Sequence, residues 1–146
     1  MLKTAVFAGT FDPFTIGHQD IVNRALLLFD KIIIAIGINE EKQPLFSLED
    51  RMKIIERPFV NNEKIVIETY SELTGVFCRK NNAQYLIRGI RNSVDFQYES
   101  DLAQINNKLF GLETVFFISP PTLSHISSSL VRQLYKNKES YLNYLP

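Results

Sequence analysis

The feature that most constrains the fold is an alternation of two apolar periods along the chain. Runs of strand length stand at Thr4 to Ala8, Lys31 to Ile38, Lys64 to Thr69, Tyr85 to Ile87 and Glu113 to Ile118. Most are continuous rather than alternating, which predicts strands covered on both faces. Between and after them lie segments of helical period: Gln19 to Phe29, Leu48 to Arg57, Ser71 to Lys80, Asp95 to Phe110 and Ser128 to Lys136. Such alternation requires parallel strands joined by right-handed helical crossovers. The expected fold is α/β, a doubly wound parallel sheet between two helical layers. No repeat, low-complexity tract or linker breaks the pattern, so residues 1–146 are expected to form a single domain.

Composition narrows the function. A chain of 146 residues that is 45% hydrophobic can bury a substantial core. Sixteen Lys and Arg balance sixteen Asp and Glu, leaving no basic stripe for nucleic acid. The lone Cys78 excludes a disulfide framework and a multi-thiolate zinc site, which points to a reducing, cytoplasmic setting. The first apolar run, Thr4 to Gly9, is too short for a signal h-region, and no apolar span approaches membrane length. Neither cleavage nor membrane insertion is expected.

Two helices carry readable detail. Ser47-Leu48-Glu49-Asp50 has the form of a capping box, with the Ser oxygen and the Asp side chain satisfying free amides. On the fourth helix, Tyr98, Leu102, Ile105 and Leu109 form one stripe, expected to be buried. Asp95, Glu99, Ala103 and Asn106 form a neighbouring polar stripe that can face a ligand.

Ligands of an open parallel sheet bind beyond the carboxyl ends of its strands, where the strand order reverses. Gly9-Thr10-Phe11-Asp12-Pro13 follows the first strand and Asn39-Glu40-Glu41-Lys42 the second. Arg88-Gly89-Ile90-Arg91 follows the fourth, and Ser119 leads to Ser124-His125-Ile126-Ser127-Ser128-Ser129 after the fifth. Glycine, hydroxyls, a Lys and two Arg on one edge suit a polyphosphate, which needs hydrogen-bond donors and cationic clamps. Arg88 and Arg91 can also pair with Asp95 and Glu99, and an Arg held in that way is better oriented for phosphate. The three serines read either as a helix cap or as a phosphate cradle, and the cradle is favoured. Cys78, beside Val76 and Phe77, reads as a small core hydrophobe.

There is no Walker A loop, G-x-G-x-x-G, G-x-S-x-G or H-E-x-x-H. Instead, Gly9-Thr10-Phe11-Asp12-Pro13-Phe14-Thr15-Ile16-Gly17-His18 combines a tight turn with a His at a helix start, where the dipole and free amides favour an anion. The stretch resembles the T/H-x-G-H motif of the α/β nucleotidylyltransferase superfamily. Thr15 ahead of Ile16-Gly17-His18 looks like the phosphopantetheine adenylyltransferase family, since the nicotinate mononucleotide and glycerol phosphate enzymes usually carry His there. The likeness extends through Lys42 with Pro44 and Phe46, Leu86 to Arg91, Asp95 to Glu99 and Ile126 to Val131. Departures are Ala8 where Pro is common, Thr74 where an apolar pantetheine contact is usual, and an end at Leu145-Pro146 where the family usually continues into another helix.

The resemblance implies a Rossmann-like nucleotidylyltransferase fold and the transfer of the adenylyl group of ATP to 4′-phosphopantetheine. The products would be dephospho-coenzyme A and pyrophosphate, in coenzyme A biosynthesis. It implies that His18 stabilises the transition state, and that Thr10, Lys42, Thr74 and Arg88 bind the acceptor. ATP would be held by Thr10, Phe11, His18, Gly89, Ile90, Arg91, Glu99, Leu123, Ser124, His125, Ile126, Ser127, Ser128 and Ser129. Mg²⁺ would ride on the triphosphate, because Mg²⁺ keeps its waters and needs few protein ligands. A homo-hexamer is implied by the family alone. The alternatives are another small nucleotidylyltransferase, or a catalytically silent nucleotide-binding module; the latter would lose His18 or Lys42, and both are present.

Overall fold

Every residue from Ile32 to Ile36 is without solvent contact, so β2 (Lys31–Gly37) must run through the middle of the molecule. The computed structural model describes Met1–Pro146. The remaining elements are β1 (Thr4–Gly9), α1 (Ile16–Ala25), α2 (Leu48–Glu56), β3 (Ile65–Tyr70), α3 (Thr74–Lys80), β4 (Tyr85–Ile90), α4 (Ser93–Phe110), β5 (Glu113–Ile118) and α5 (Ser128–Lys136). Short 3₁₀ turns lie at Arg57–Phe59 and Leu142–Tyr144. The strands form one parallel sheet of order β3-β2-β1-β4-β5. This is the expected doubly wound α/β arrangement, and its order reverses between β1 and β4.

The period of two in the strands divides the core into two layers. Ala5, Phe7, Ile32, Ile34 and Ile36 join Ile21, Val22 and Ala25 of α1 and Ile54 and Ile55 of α2 on one face. Val6, Ala8, Ile33 and Ala35 join Phe77 and Cys78 of α3 on the other, with Leu86 and Leu112. Continuous apolar runs thus mark central strands, as expected. The edge strands β3 and β5 are only partly covered, since an edge lacks a neighbour on one side. Cys78 is fully buried, and burial pushes its thiol up to about 12, consistent with a packing role. No helix is long and apolar enough to cross a membrane.

Several boundaries shift from expectation. α1 starts earlier, at Ile16, because Thr15 caps it; α3 starts later, at Thr74. At α2 only half of the anticipated capping box forms. Ser47 Oγ accepts from the Asp50 amide at 3.1 Å, while the Asp50 side chain makes no return bond to Ser47.

The larger correction concerns α4. Tyr98, Ile105 and Leu109, expected to be buried, are 64%, 52% and 61% exposed, whereas Glu99 is 8% exposed. The stripe expected to be polar and ligand-facing is the one turned inward. Glu99 is drawn to Arg88 on β4, and the small Ala103 on the same stripe permits close approach to the sheet. Periodicity identifies which residues share a face and cannot say which face is covered.

Close packing on this side also needs a glycine. A Cβ at Gly75 would overlap the Phe110 ring at the end of α4. Gly75→Ala is expected to destabilise the fold by about 1–3 kcal/mol through overpacking. Gly37→Ala, whose added carbon would meet Tyr70 at an ordinary 3.6 Å, should stay within about 0.5 kcal/mol of the parent. Urea denaturation of the two variants measures the contrast.

Candidate active site

The turn from β1 into α1 sits at the sheet's reversal point, and its backbone is tethered from several sides. Arg51, buried on α2, donates from Nη1 to the Thr10 carbonyl at 2.9 Å. Arg132 on α5 donates from Nη1 to the Asp12 carbonyl at 2.9 Å, and Ser128 Oγ donates to the Pro13 carbonyl at 2.8 Å. The Asp12 carboxylate accepts from the Leu45 and Phe46 amides, each at 2.8 Å. Phe11 is held in the left-handed region, φ 49°, with its ring against Gly9. A non-glycine residue in that region is uncommon and is sustained by its surroundings.

His18 lies on the first turn of α1, and the capping box there fixes its ring. The Thr15 amide donates to Nδ1 at 2.9 Å, and the His18 amide reaches Thr15 Oγ1 at 3.5 Å. A ring nitrogen that accepts an N–H carries no proton, so the neutral imidazole holds its proton on Nε2. Phe14 stacks on the ring at 5.1 Å and Phe11 meets it edge-on at 5.2 Å. Burial first, then the positive charges of Arg91 and Arg88, push the His18 pKa from 6.5 down to about 4. At neutral pH, His18 is therefore an uncharged donor.

The two arginines are themselves held. Arg88 donates from Nε and Nη2 to the Glu99 carboxylate at 2.8 and 2.6 Å, and from Nη1 to the Ala8 carbonyl at 2.8 Å. Burial works against the Arg88 charge, but the hydrogen bonds and attraction of Glu99 outweigh it and raise the pKa above its ordinary value. Arg91 pairs with Asp95 at 3.0 Å. Both pairings anticipated from the sequence are thus present, in the order Arg88 with Glu99 and Arg91 with Asp95.

These groups surround a cavity of about 300 Å³. Of the residues expected to bind nucleotide or acceptor, Thr10, Phe11, His18, Arg88, Gly89, Arg91, Glu99, Leu123, Ile126, Ser127 and Ser128 line it. Ile90, Ser124, His125 and Ser129 do not. Lys42 and Thr74 line an adjoining cavity of about 620 Å³ that shares Gly9 and Thr10 with the first. Lys42 is exposed on its loop, and Thr74 Oγ1 meets the Tyr70 hydroxyl at 2.9 Å.

Of the two readings of the three serines, the contacts show the helix cap. Ser127 Oγ accepts from the Leu130 amide as the α5 cap, while Ser128 braces Pro13 and Ser129 accepts from Arg132. Arg132 lines the main cavity and escaped the sequence reading. Its spacing of four from Ser128 places it on the same helix face, which was the available signal. No three His, Cys, Asp or Glu side chains cluster as metal ligands. The carboxylates lining the cavity are already engaged, Asp12 by amides, Asp95 by Arg91 and Glu99 by Arg88.

A family model described as cytidylyltransferase-like matches residues 6–134. A phosphopantetheine adenylyltransferase of Porphyromonas gingivalis is 49% identical over 142 residues, covering 97% of this chain and 93% of that protein. The phosphopantetheine adenylyltransferase of Cytophaga hutchinsonii is 46% identical over 147 residues, covering 100% and 98%. Among solved structures, a bifunctional NMN adenylyltransferase/ADP ribose pyrophosphatase from Francisella tularensis superposes with a TM-score of 0.77 at 21% identity, over 99% of this chain and 45% of that one. Likeness at that identity is one of fold, and this chain spans less than half of that larger protein. The Rossmann-like nucleotidyltransferase fold expected from the motif is the fold observed.

The state of His18 is directly measurable. In a ¹⁵N NMR titration the ring should remain the Nε2–H tautomer through pH 6.5 and protonate only toward pH 4. Between those values the unfolded chain takes up a proton that the folded chain refuses, so stability should fall as the pH drops from 6.5 toward 4. A titration midpoint at or above 6.5 would contradict the assigned environment.

Proposed function

The chain belongs to the cytidylyltransferase-like family and, within it, to the phosphopantetheine adenylyltransferases, and from that premise we propose that it transfers the adenylyl group of ATP to the phosphate of 4′-phosphopantetheine. Dephospho-coenzyme A and pyrophosphate are the products. A phosphate monoester, with a second pKa of about 6, is largely dianionic near neutrality. The nucleophile therefore needs no strong base, and positioning and charge neutralisation carry the rate.

The observation that carries this reading is the neutral His18, protonated on Nε2 and flanked by two clamped arginines. His18 donates from Nε2 to the α-phosphate as charge develops there. Thr10, Lys42, Thr74 and Arg88 take the acceptor, Arg88 from the wall common to its phosphate and the nucleotide. Phe11, Gly89, Ile90, Arg91 and the segment from Leu123 to Ser129 take ATP. Glu99 acts through Arg88, both of its oxygens being occupied there. The cavity's carboxylates are committed to other partners, which suits a divalent cation arriving with the triphosphate, Mg²⁺ in this reading.

The exposed Val94, Phe96, Tyr98, Ile105 and Leu109 on α4 support a self-associated protein, and a homo-hexamer is the assembly we propose. The balanced charge and single Cys support a one-domain cytoplasmic enzyme without nucleic-acid or membrane partners.

Pyrophosphate release is expected with ATP and 4′-phosphopantetheine, and not with nicotinate mononucleotide or glycerol phosphate as acceptor. The reverse preference would make this a different nucleotidylyltransferase. His18→Ala should still fold, at a lower melting temperature because the capping box and ring contacts are lost, and should lose about 10²–10³ in turnover, the effect of deleting a donor aimed at transition-state charge. Near-normal turnover in the folded variant rules that role out. Sedimentation at working concentration should give a species near six times 16.9 kDa; a fully active monomer excludes the assembly.

A further inference from the structure

Asp12 is 5% exposed, yet its carboxylate makes no ion pair. Oδ2 accepts from the Leu45 amide and Oδ1 from the Phe46 amide, both at 2.8 Å, across 33 and 34 positions of sequence. Its own carbonyl accepts from Arg132 at 2.9 Å. A buried carboxylate with both oxygens on adjacent amides of one distant loop is an anchor for that loop, because each amide is held by its own charged acceptor.

The anchored loop carries Lys42, three residues ahead of Leu45. Pro44 stands between them and fixes one of the intervening backbone angles. On the other side of the anchor, the Phe46 ring packs against Tyr135 and Tyr141, at 5.4 and 6.3 Å between centroids. The loop is thus held at residues 45–46 and exposed at 40–44. A lysine on a flexible stem loses rotamer and backbone freedom on gripping a ligand, and a fixed stem root reduces that cost.

We propose that Asp12 is a positioning residue that sets the Lys42 loop against the turn bearing His18, so that the acceptor phosphate meets Lys42 beside the nucleotide. This rests on the reading of Lys42 as an acceptor ligand. Asp12 lines the main cavity, but each of its oxygens is engaged by an amide of the loop. Its effect therefore runs through the loop and falls on the acceptor half of the site.

Asp12→Asn tests this, since it preserves shape while turning one acceptor into a donor that faces an amide. In the full chain, amide exchange at Leu45 and Phe46 should accelerate about tenfold or more, the signature of a local opening, while β1 and β2 stay protected. The KM for phosphopantetheine should rise about tenfold while ATP affinity by calorimetry stays within about twofold. In a Lys42→Ala background the Asp12→Asn effect on acceptor KM should vanish, because coupled residues are not additive. Replacing the Leu45 N–H by an ester oxygen, with Asp12 intact, should reproduce the acceptor effect and stands in should Asp12→Asn not fold. Unchanged exchange at 45 and 46, ATP affinity falling in step with acceptor KM, or full additivity with Lys42→Ala each overturns the proposal. A wild-type protein that does not adenylylate phosphopantetheine overturns the functional reading instead, and exchange at the two amides then decides the anchor alone.

Discussion

The ion pair between Arg88 and Glu99 is the interaction on which most of the site depends. It joins β4 to α4 through two short hydrogen bonds, and the third Arg88 bond, to Ala8, ties both to the end of β1. Glu99 is almost wholly removed from water while Arg88 keeps a third of its side chain exposed. Removing two charges from water is costly, and such a pair is stable only when its remaining hydrogen bonds are satisfied. Here the third acceptor is the Ala8 carbonyl, and Ala8, Arg88 and Glu99 all line the cavity. One interaction therefore holds the long helix against β4 and fixes a cation in the cavity wall.

The same charge acts on His18. Burial and the two arginines keep the ring neutral, since positive neighbours disfavour a further positive charge. The Thr15 amide is consistent with this, since Nδ1 can accept that N–H only while unprotonated. Bound phosphates would oppose the arginine field and raise the pKa of the ring. The Nε2 proton is present in either state, so donation to a phosphate oxygen does not depend on the outcome. In the proposed reaction the labour is divided: the arginines supply charge and the histidine supplies a directed hydrogen bond.

What the sequence discloses and what it hides follow from the range of each interaction. The central strands, α5 and β5 were legible because they are local and periodic. The stretch from Gly9 to His18 was legible because ten consecutive residues form one turn and one helix start. α4 was misread because the inward stripe was chosen by hydropathy, whereas a charge pair between residues 11 positions apart decided it. Arg51 and Arg132 were not seen at all. The Arg51 role rests on a bond to a backbone carbonyl 41 positions away, which no local pattern discloses; for Arg132 the spacing from Ser128 gives its helix face, but not its bond to a carbonyl 120 positions away. The place of Lys42 in the adjoining cavity rather than beside Arg88 depends on loop geometry that spacing cannot give.

The tethered turn explains why arginines appear where the sequence had no use for them. A polyanion approaching a β–α turn meets carbonyl oxygens as well as amides, and unpartnered carbonyls repel it. The carbonyls of Thr10, Asp12 and Pro13 are each engaged by Arg51, Arg132 or Ser128, which offsets their negative ends and fixes the peptide planes. Two of these three partners come from α5, whose first turn also lies on the cavity. Any movement of α5 would therefore be felt by the turn, and through Asp12 by the loop at Leu45 and Phe46. The two adjoining cavities are built on one support, which is what the proposed reaction, relying on alignment with little acid–base chemistry to assist it, requires.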